Sequence, residues 1–178
     1  RLVSNPTTAA KRPARPSLFL GAAHLAAVWS LAFLQPMLSL LGDNPDFFVA
    51  RGNTTGQVLI YAFALAFVPP LLGLAIEALA RVFSDDLRWD IHLFLMTVVT
   101  GAFFLTISKK WVDWPAGVLI AISVLAAAGC IYAYARWPFP RNFADVLTPA
   151  PLIILALFIV FSSTSKLPPP STAGALIP

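Results

Sequence analysis

Glu77 is the one carboxylate inside a long apolar stretch. An acid held within a membrane helix is by default a candidate functional group, a step in a proton relay for instance. Arg81 follows four residues later, which puts both side chains on one helix face with the acid first. The plainer reading is therefore an ion pair near the helix end, snorkelling toward water. His24 and His92 are the only histidines. A histidine in a membrane helix can hold haem, chlorophyll or a transition metal through a ring nitrogen. Neither is followed by a second ligand at helical spacing, so the plainer role for each is a helix-to-helix hydrogen bond or an interfacial side chain. A site shared by both stays open if they lie toward the same face. Cys130 is the single cysteine, which excludes an internal disulfide, and it reads as a small packing hydrophobe.

A second polar group spans GDNPDFFVARGNTTG, with Asp43, Asn44, Asp46, Arg51 and Asn53. Its oxygens suit a hard cation such as Ca²⁺, but the spacing matches no loop of that kind. The plainer reading is a short ordered cap. Asp43 and Asn44 would make turn bonds ahead of Pro45, and Phe47 and Phe48 would dip into the interface. Asn53-Thr54-Thr55 also fits an N-glycosylation acceptor. The sequence holds no phosphate-cradling glycine loop, no nucleophile beside a base and no Cys/His cluster. No catalytic and no metal-binding residue is expected, and hence no enzyme in this chain. Glu77, His24 and Gln35 are too scattered to line a transport path.

The elements that carry these residues follow from composition. Of 178 residues, 58% are hydrophobic and 11% charged, against about 25% charged in an ordinary soluble domain. That excludes a water-soluble globule, and such hydrophobicity excludes disorder. A membrane-crossing helix needs about 20 apolar residues. Five such spans are expected, at 17–41, 57–82, 90–108, 114–135 and 147–165. Pro69-Pro70 should kink the second, and Pro115 suits the first turn of the fourth. The first apolar run is too long for a signal peptide and reads as a retained span. No strand alternation occurs. The expected fold class is thus all-α, a polytopic membrane bundle of about five transmembrane helices. Residues 1–16 form a disordered basic tail, 17–166 the bundle, and 167–178 a proline-rich linker.

Orientation follows from the cations flanking the spans. Arg1, Lys11, Arg12, Arg15, Arg81, Arg88, Arg136 and Arg141 fall on one side; Arg51, Lys109, Lys110 and Lys166 fall on the other. Eight against four predicts a cytoplasmic N-terminus and an extracytoplasmic C-terminus. The basic balance reflects this topology and not nucleic-acid binding. Trp89, Trp111, Trp114 and Trp137 fall at span ends, as an interfacial aromatic belt would. Small residues at 22–23, 26–27, 117, 121 and 126–129 should let neighbouring spans approach closely.

Gln35-Pro36, Leu41-Gly42, Asn44, Asp46-Phe47-Phe48-Val49-Ala50-Arg51-Gly52, Val68-Pro69-Pro70 and Ser165-Lys166-Leu167 together resemble the N-terminal membrane region of bacterial membrane-anchored sulfatase-like proteins of the alkaline phosphatase superfamily. The resemblance covers most of residues 17–167. It implies a multi-pass protein of the bacterial inner membrane and a large extracytoplasmic hydrolase domain after the linker at 167–170. The family's C/S-x-P-x-R nucleophile motif is absent here, since Cys130 is followed by Ile131-Tyr132-Ala133. No catalytic or metal residue carries over. The expected function is a non-catalytic anchor or scaffold, with Gln35, Pro36, Asn44, Asp46, Phe47, Arg51, Pro69 and Pro70 in structural roles. The alternative is an accessory subunit of a respiratory or photosynthetic complex. Its other membrane subunits would be partners, and haem or chlorophyll would be a contact of His24 or His92.

Overall fold

A computed structural model describes residues 15–162. The basic tail through residue 14, Lys166 and the proline-rich segment at 167–178 lie outside the described residues. Within them the chain is all-α and no strand occurs. Five helices are long and apolar enough to cross a membrane: Leu18–Gly42, Thr55–Phe83, Asp85–Trp111, Ala116–Arg136 and Pro138–Phe161. The protein is a polytopic helical membrane protein.

The first span has three parts. Helix α1 (Leu18–Trp29) begins on Ser17, whose hydroxyl accepts from the Leu20 amide at 3.3 Å. A π-helical turn, Ser30–Leu34, leads into α2 (Gln35–Gly42). The Gln35 amide bonds the Ser30 carbonyl five residues back. Pro36 has no amide hydrogen and its ring crowds the carbonyl of the preceding turn, which the wider π turn relieves. Between the first two spans lies α3 (Pro45–Ala50). Asn44 donates to the Leu40 carbonyl at 2.7 Å, and Phe48 inserts into the core while Phe47 stays outside under the Arg51 guanidinium. Gly52 closes this cap at φ 68°, a conformation that costs glycine least.

Helix α4 (Thr55–Phe83) starts from a capping box: Thr54 accepts from the Gln57 amide, and Gln57 accepts from the Thr54 amide. It runs unbroken through Pro69 and Pro70. Pro69 deprives the Leu65 carbonyl of its helical donor. The Trp29 indole, from the first span, supplies one at 3.0 Å. Gly73 allows the same two spans to touch, because a Cβ there would stand 2.5 Å from Leu25 Cδ2.

Helix α5 (Asp85–Trp111) opens earlier than the expected 90, for a local reason. Ser84 caps it by accepting from the Leu87 amide at 2.9 Å, and Asp85 and Asp86 occupy the electropositive first turn. Arg88 and Trp89 are therefore helical. Helix α6 (Ala116–Arg136) follows. The fifth span also begins before its expected start at 147. Segment 136–145, expected as a loop, is mostly helix α7 (Pro138–Leu147), which a turn at Thr148-Pro149 separates from α8 (Ala150–Phe161). Pro138 suits the first position of α7. Its Arg141 is buried and its half-exposed Asp145 reaches His24 from the bundle end, while Phe139, Phe143 and Val146 face outward.

Two apolar clusters fill the interior. One, toward the N-terminal end of the bundle, includes Leu25, Trp89, Met96, Ile131 and Tyr134; the other, toward the opposite end, includes Leu34, Leu38, Phe48, Val58 and Phe158. Three expectations about packing need correction. Trp89 is buried and not interfacial, whereas Trp111, Trp114 and Trp137 are exposed at helix ends. Cys130 is exposed on the outer surface. Of the small residues, Ala27 and Ala127 are fully buried, but Gly117 and Gly129 face open space; the close approaches are made at Gly21, Gly42 and Gly73.

Replacing Trp29 by Phe keeps a ring against Phe33 but removes the donor to the Leu65 carbonyl. A loss of roughly 1–2 kcal/mol is expected, measured by reversible unfolding in mixed micelles.

Candidate functional site

Among the described residues, Glu77, Arg88, His92, His24, Tyr134 and Arg141 are the charged or titratable side chains in the interior, and they converge near one end of the bundle. His24 lies about 9 Å inside the start of α1, and Glu77 about 9 Å before the end of α4, at about 1.5 Å per helical residue. The chain links in one line. Asp145 Oδ1 stands 2.7 Å from His24 Nε2, and His24 Nδ1 2.7 Å from the Tyr134 hydroxyl. That hydroxyl is also 3.1 Å from His92 Nε2, and His92 Nδ1 is 2.9 Å from Glu77 Oε1. Arg88 Nη1 lies 3.9 Å from the other oxygen, Glu77 Oε2. The line joins α7, α1, α6, α5 and α4, so every span contributes.

Each link depends on a local feature of sequence. Gly21 lets α1 lie against His92, since a Cβ there would sit 3.3 Å from the imidazole and 3.5 Å from Glu77 Oε2. Trp89 stacks on both His92 and Tyr134, with ring centroids 5.4 and 6.1 Å apart. Arg141 bonds the carbonyls of Tyr134 and Ala135 at 2.8 and 3.0 Å, which satisfies acceptors left open in the last turn of α6. Its guanidinium also lies 5.2 Å over the Trp89 ring. Arg88 closes the other end by donating to the Pro16 carbonyl at 3.2 Å. At this face Arg15 pairs with Asp86 at 2.7 Å.

The expected Glu77–Arg81 pair does not form. Glu77 is 0% exposed, and its cation is Arg88. Arg81 points outward and pairs with Asp85 at 3.5 Å. The rotation of α4 decides this: its buried residues run Ala66, Pro70, Gly73, Glu77, Ala80, a stripe that leaves Arg81 on the flank. The two histidines, expected to make a helix-to-helix hydrogen bond or lie at the interface with a shared site left open, share a partner in Tyr134. All four of their ring nitrogens lie within hydrogen-bonding distance of protein groups. A haem iron or chlorophyll magnesium on either ring would have to displace Tyr134, Asp145 or Glu77. Tyr134, Arg88, Arg141 and Asp145 were not singled out for this site. Only Arg141 and Asp145, four residues apart and so on one face of α7, carried a readable sign.

In the first loop the carboxylates do not converge. Asp43 accepts from Ser39 at 3.5 Å, and Asn53 donates to Gln57 at 3.4 Å. No cluster of three or more His, Cys, Asp or Glu able to hold a metal ion occurs among the described residues. No family model, curated protein or solved structure matches the chain.

Arg88→Met should leave Glu77 as a buried charge without a cation and cost ~3 kcal/mol or more. Arg81→Met, which breaks only an exposed pair, should cost under about 1 kcal/mol. Unfolding of the two variants in the same detergent ranks them, and the opposite order would restore the Glu77–Arg81 pairing.

Proposed function

We propose that the chain is a non-catalytic membrane domain that anchors or scaffolds an extracytoplasmic, sulfatase-like domain or partner protein. The observation that carries this reading is the set of five membrane-length helices. An odd number of crossings delivers the two ends of the chain to opposite faces. The burial of five spans makes attachment effectively permanent, unlike a lipid chain. Arg15, Arg81, Arg88, Arg136 and Arg141 gather at the end of the bundle where the chain enters, and Arg51, Lys109 and Lys110 at the other. The positive-inside rule then favours a cytoplasmic entry face in a bacterial inner membrane. The resemblance around 35–52 supplies the class of cargo. His24, Tyr134, His92 and Glu77 bond to one another across the helices, which suits a rigid support.

A second reading, an accessory subunit, is favoured by one observation. Gln35, Ser39 and Asp43 lie on successive turns, are exposed, and line two clefts of about 400 and 560 Å³. Polar side chains at membrane depth normally face protein or water. If a partner subunit covers them, Gln35→Leu should dissociate the native assembly in mass spectrometry from lipid discs.

Reporter fusions test the anchor. A β-lactamase fused after residue 178 should confer resistance, and a fluorescent protein fused before residue 1 should fluoresce in the cytoplasm. Both ends reporting the same compartment would remove this reading.

A further inference from the structure

The line Asp145–His24–Tyr134–His92–Glu77 contains four hydrogen-bond contacts, of 2.7, 2.7, 3.1 and 2.9 Å. Each needs one hydrogen between its two heavy atoms. A neutral imidazole supplies one, a second imidazole another and the phenol a third, while ionised carboxylates supply none. Three hydrogens cannot fill four contacts. The unfilled contact would set two lone pairs against each other; three of the four contacts are buried, where an unmade hydrogen bond is costly, and the Asp145–His24 contact is part-buried at the cleft.

We propose that this cluster is a binding site for a single proton, shared between His24 and His92 through the Tyr134 hydroxyl, and that this proton holds the N-terminal end of the bundle closed. With the proton on His24, His24 Nδ1–H donates to the tyrosine oxygen, and the tyrosine O–H donates to His92 Nε2. Transfer moves two protons in step. His24 Nδ1 gives its proton to the phenol oxygen, and the phenol gives its own to His92 Nε2. The imidazolium has then changed rings, and no other bond has formed or broken. Asp145 is the counter-ion in the first state and Glu77 in the second. A further proton does not fit, because two imidazoliums would both donate to Tyr134 and leave its hydroxyl hydrogen without an acceptor along the line.

The charged groups around the line come from α4, α5, α7 and the residue Arg15 ahead of α1. Glu77 of α4 faces His92, and Arg88 of α5 faces Glu77. Arg141 of α7 lies 5.5 Å over the Tyr134 ring, and Arg15 lies 5.9 Å over Trp89. The proton has a route in. Asp145 has a side chain 47% exposed, and with His24, Pro16 and Asn142 it lines a cleft of about 200 Å³ at the bundle end. Both ends of the line, Asp145 and Arg88, lie toward this same end. The cluster therefore binds a proton from one face and does not conduct across the bilayer. Losing the proton must open one of the four contacts, each of which joins two different helices.

The test uses ¹⁵N-histidine-labelled full chain in lipid bilayers, where only two histidines report. Ring-nitrogen shifts are followed from about pH 5 to about pH 9, together with the infrared carboxylic-acid band. Both rings should respond at one common midpoint. The protons held on the imidazoles and carboxyls, beyond two neutral rings, should sum to no more than one. Tyr134→Phe divides the line into two pairs that two neutral rings can satisfy, so the two histidines should then titrate independently. Two fully formed imidazoliums in the parent chain, or no excess proton anywhere in the range, would overturn the proposal. The parent titration decides this even if Tyr134→Phe fails to fold.

Discussion

A carboxylate sealed from water within a bundle that lipid surrounds has to bring its own solvation with it, and Glu77 dictates much of the architecture around it. A cation must be buried beside it, so Arg88 is drawn inside, and Ser84 must start α5 early enough to place Arg88 one turn in. A donor must reach its second oxygen, so His92 is aligned toward it. The first span must come close enough to shut out water, and at position 21 a glycine allows it, where a Cβ would stand 3.3 Å from the His92 ring. These requirements on α5 and on the first span follow from the expense of an unpaired buried charge.

The two ends of the bundle are held by different means. Toward the opposite end, Leu34, Leu38, Phe48, Val58 and Phe158 interlock by shape alone. In lipid the hydrophobic effect does not drive one helix onto another, and such packing relies on close fit. Toward the chain's entry, polar contacts specify which helix meets which. His24 can satisfy both ring nitrogens only where α6 and α7 both present a partner, which fixes the arrangement of three elements at once.

Much of the fold was legible in the amino-acid sequence because hydrocarbon imposes a length on every crossing. The five apolar stretches appear as five helices, with the first four beginning and ending within a few residues of expectation apart from the early start of α5. That start was marked by Ser84-Asp85-Asp86, an N-cap followed by acids, but the charges resembled a loop. The fifth span was misplaced because Arg136, Arg141 and Asp145 looked too polar to lie inside, when Arg141 turns inward to serve Tyr134 and Asp145 reaches His24 from the bundle end. The cluster itself was only half visible. Glu77 and both histidines stood out by type, yet the nearest cation in sequence was the wrong one. Tyr134 and Asp145 meet His24 across 110 and 121 residues of chain, and no spacing rule reaches that far.

The indole of Trp29 on the Leu65 carbonyl has a bearing on how the protein is made. Proline at 69 leaves α4 with an acceptor that its own backbone cannot satisfy, and hydrocarbon offers no substitute. Only the preceding span carries the missing donor. The second crossing thus has an open carbonyl that the first one fills, which favours their release from the insertion machinery as a hairpin rather than one after the other.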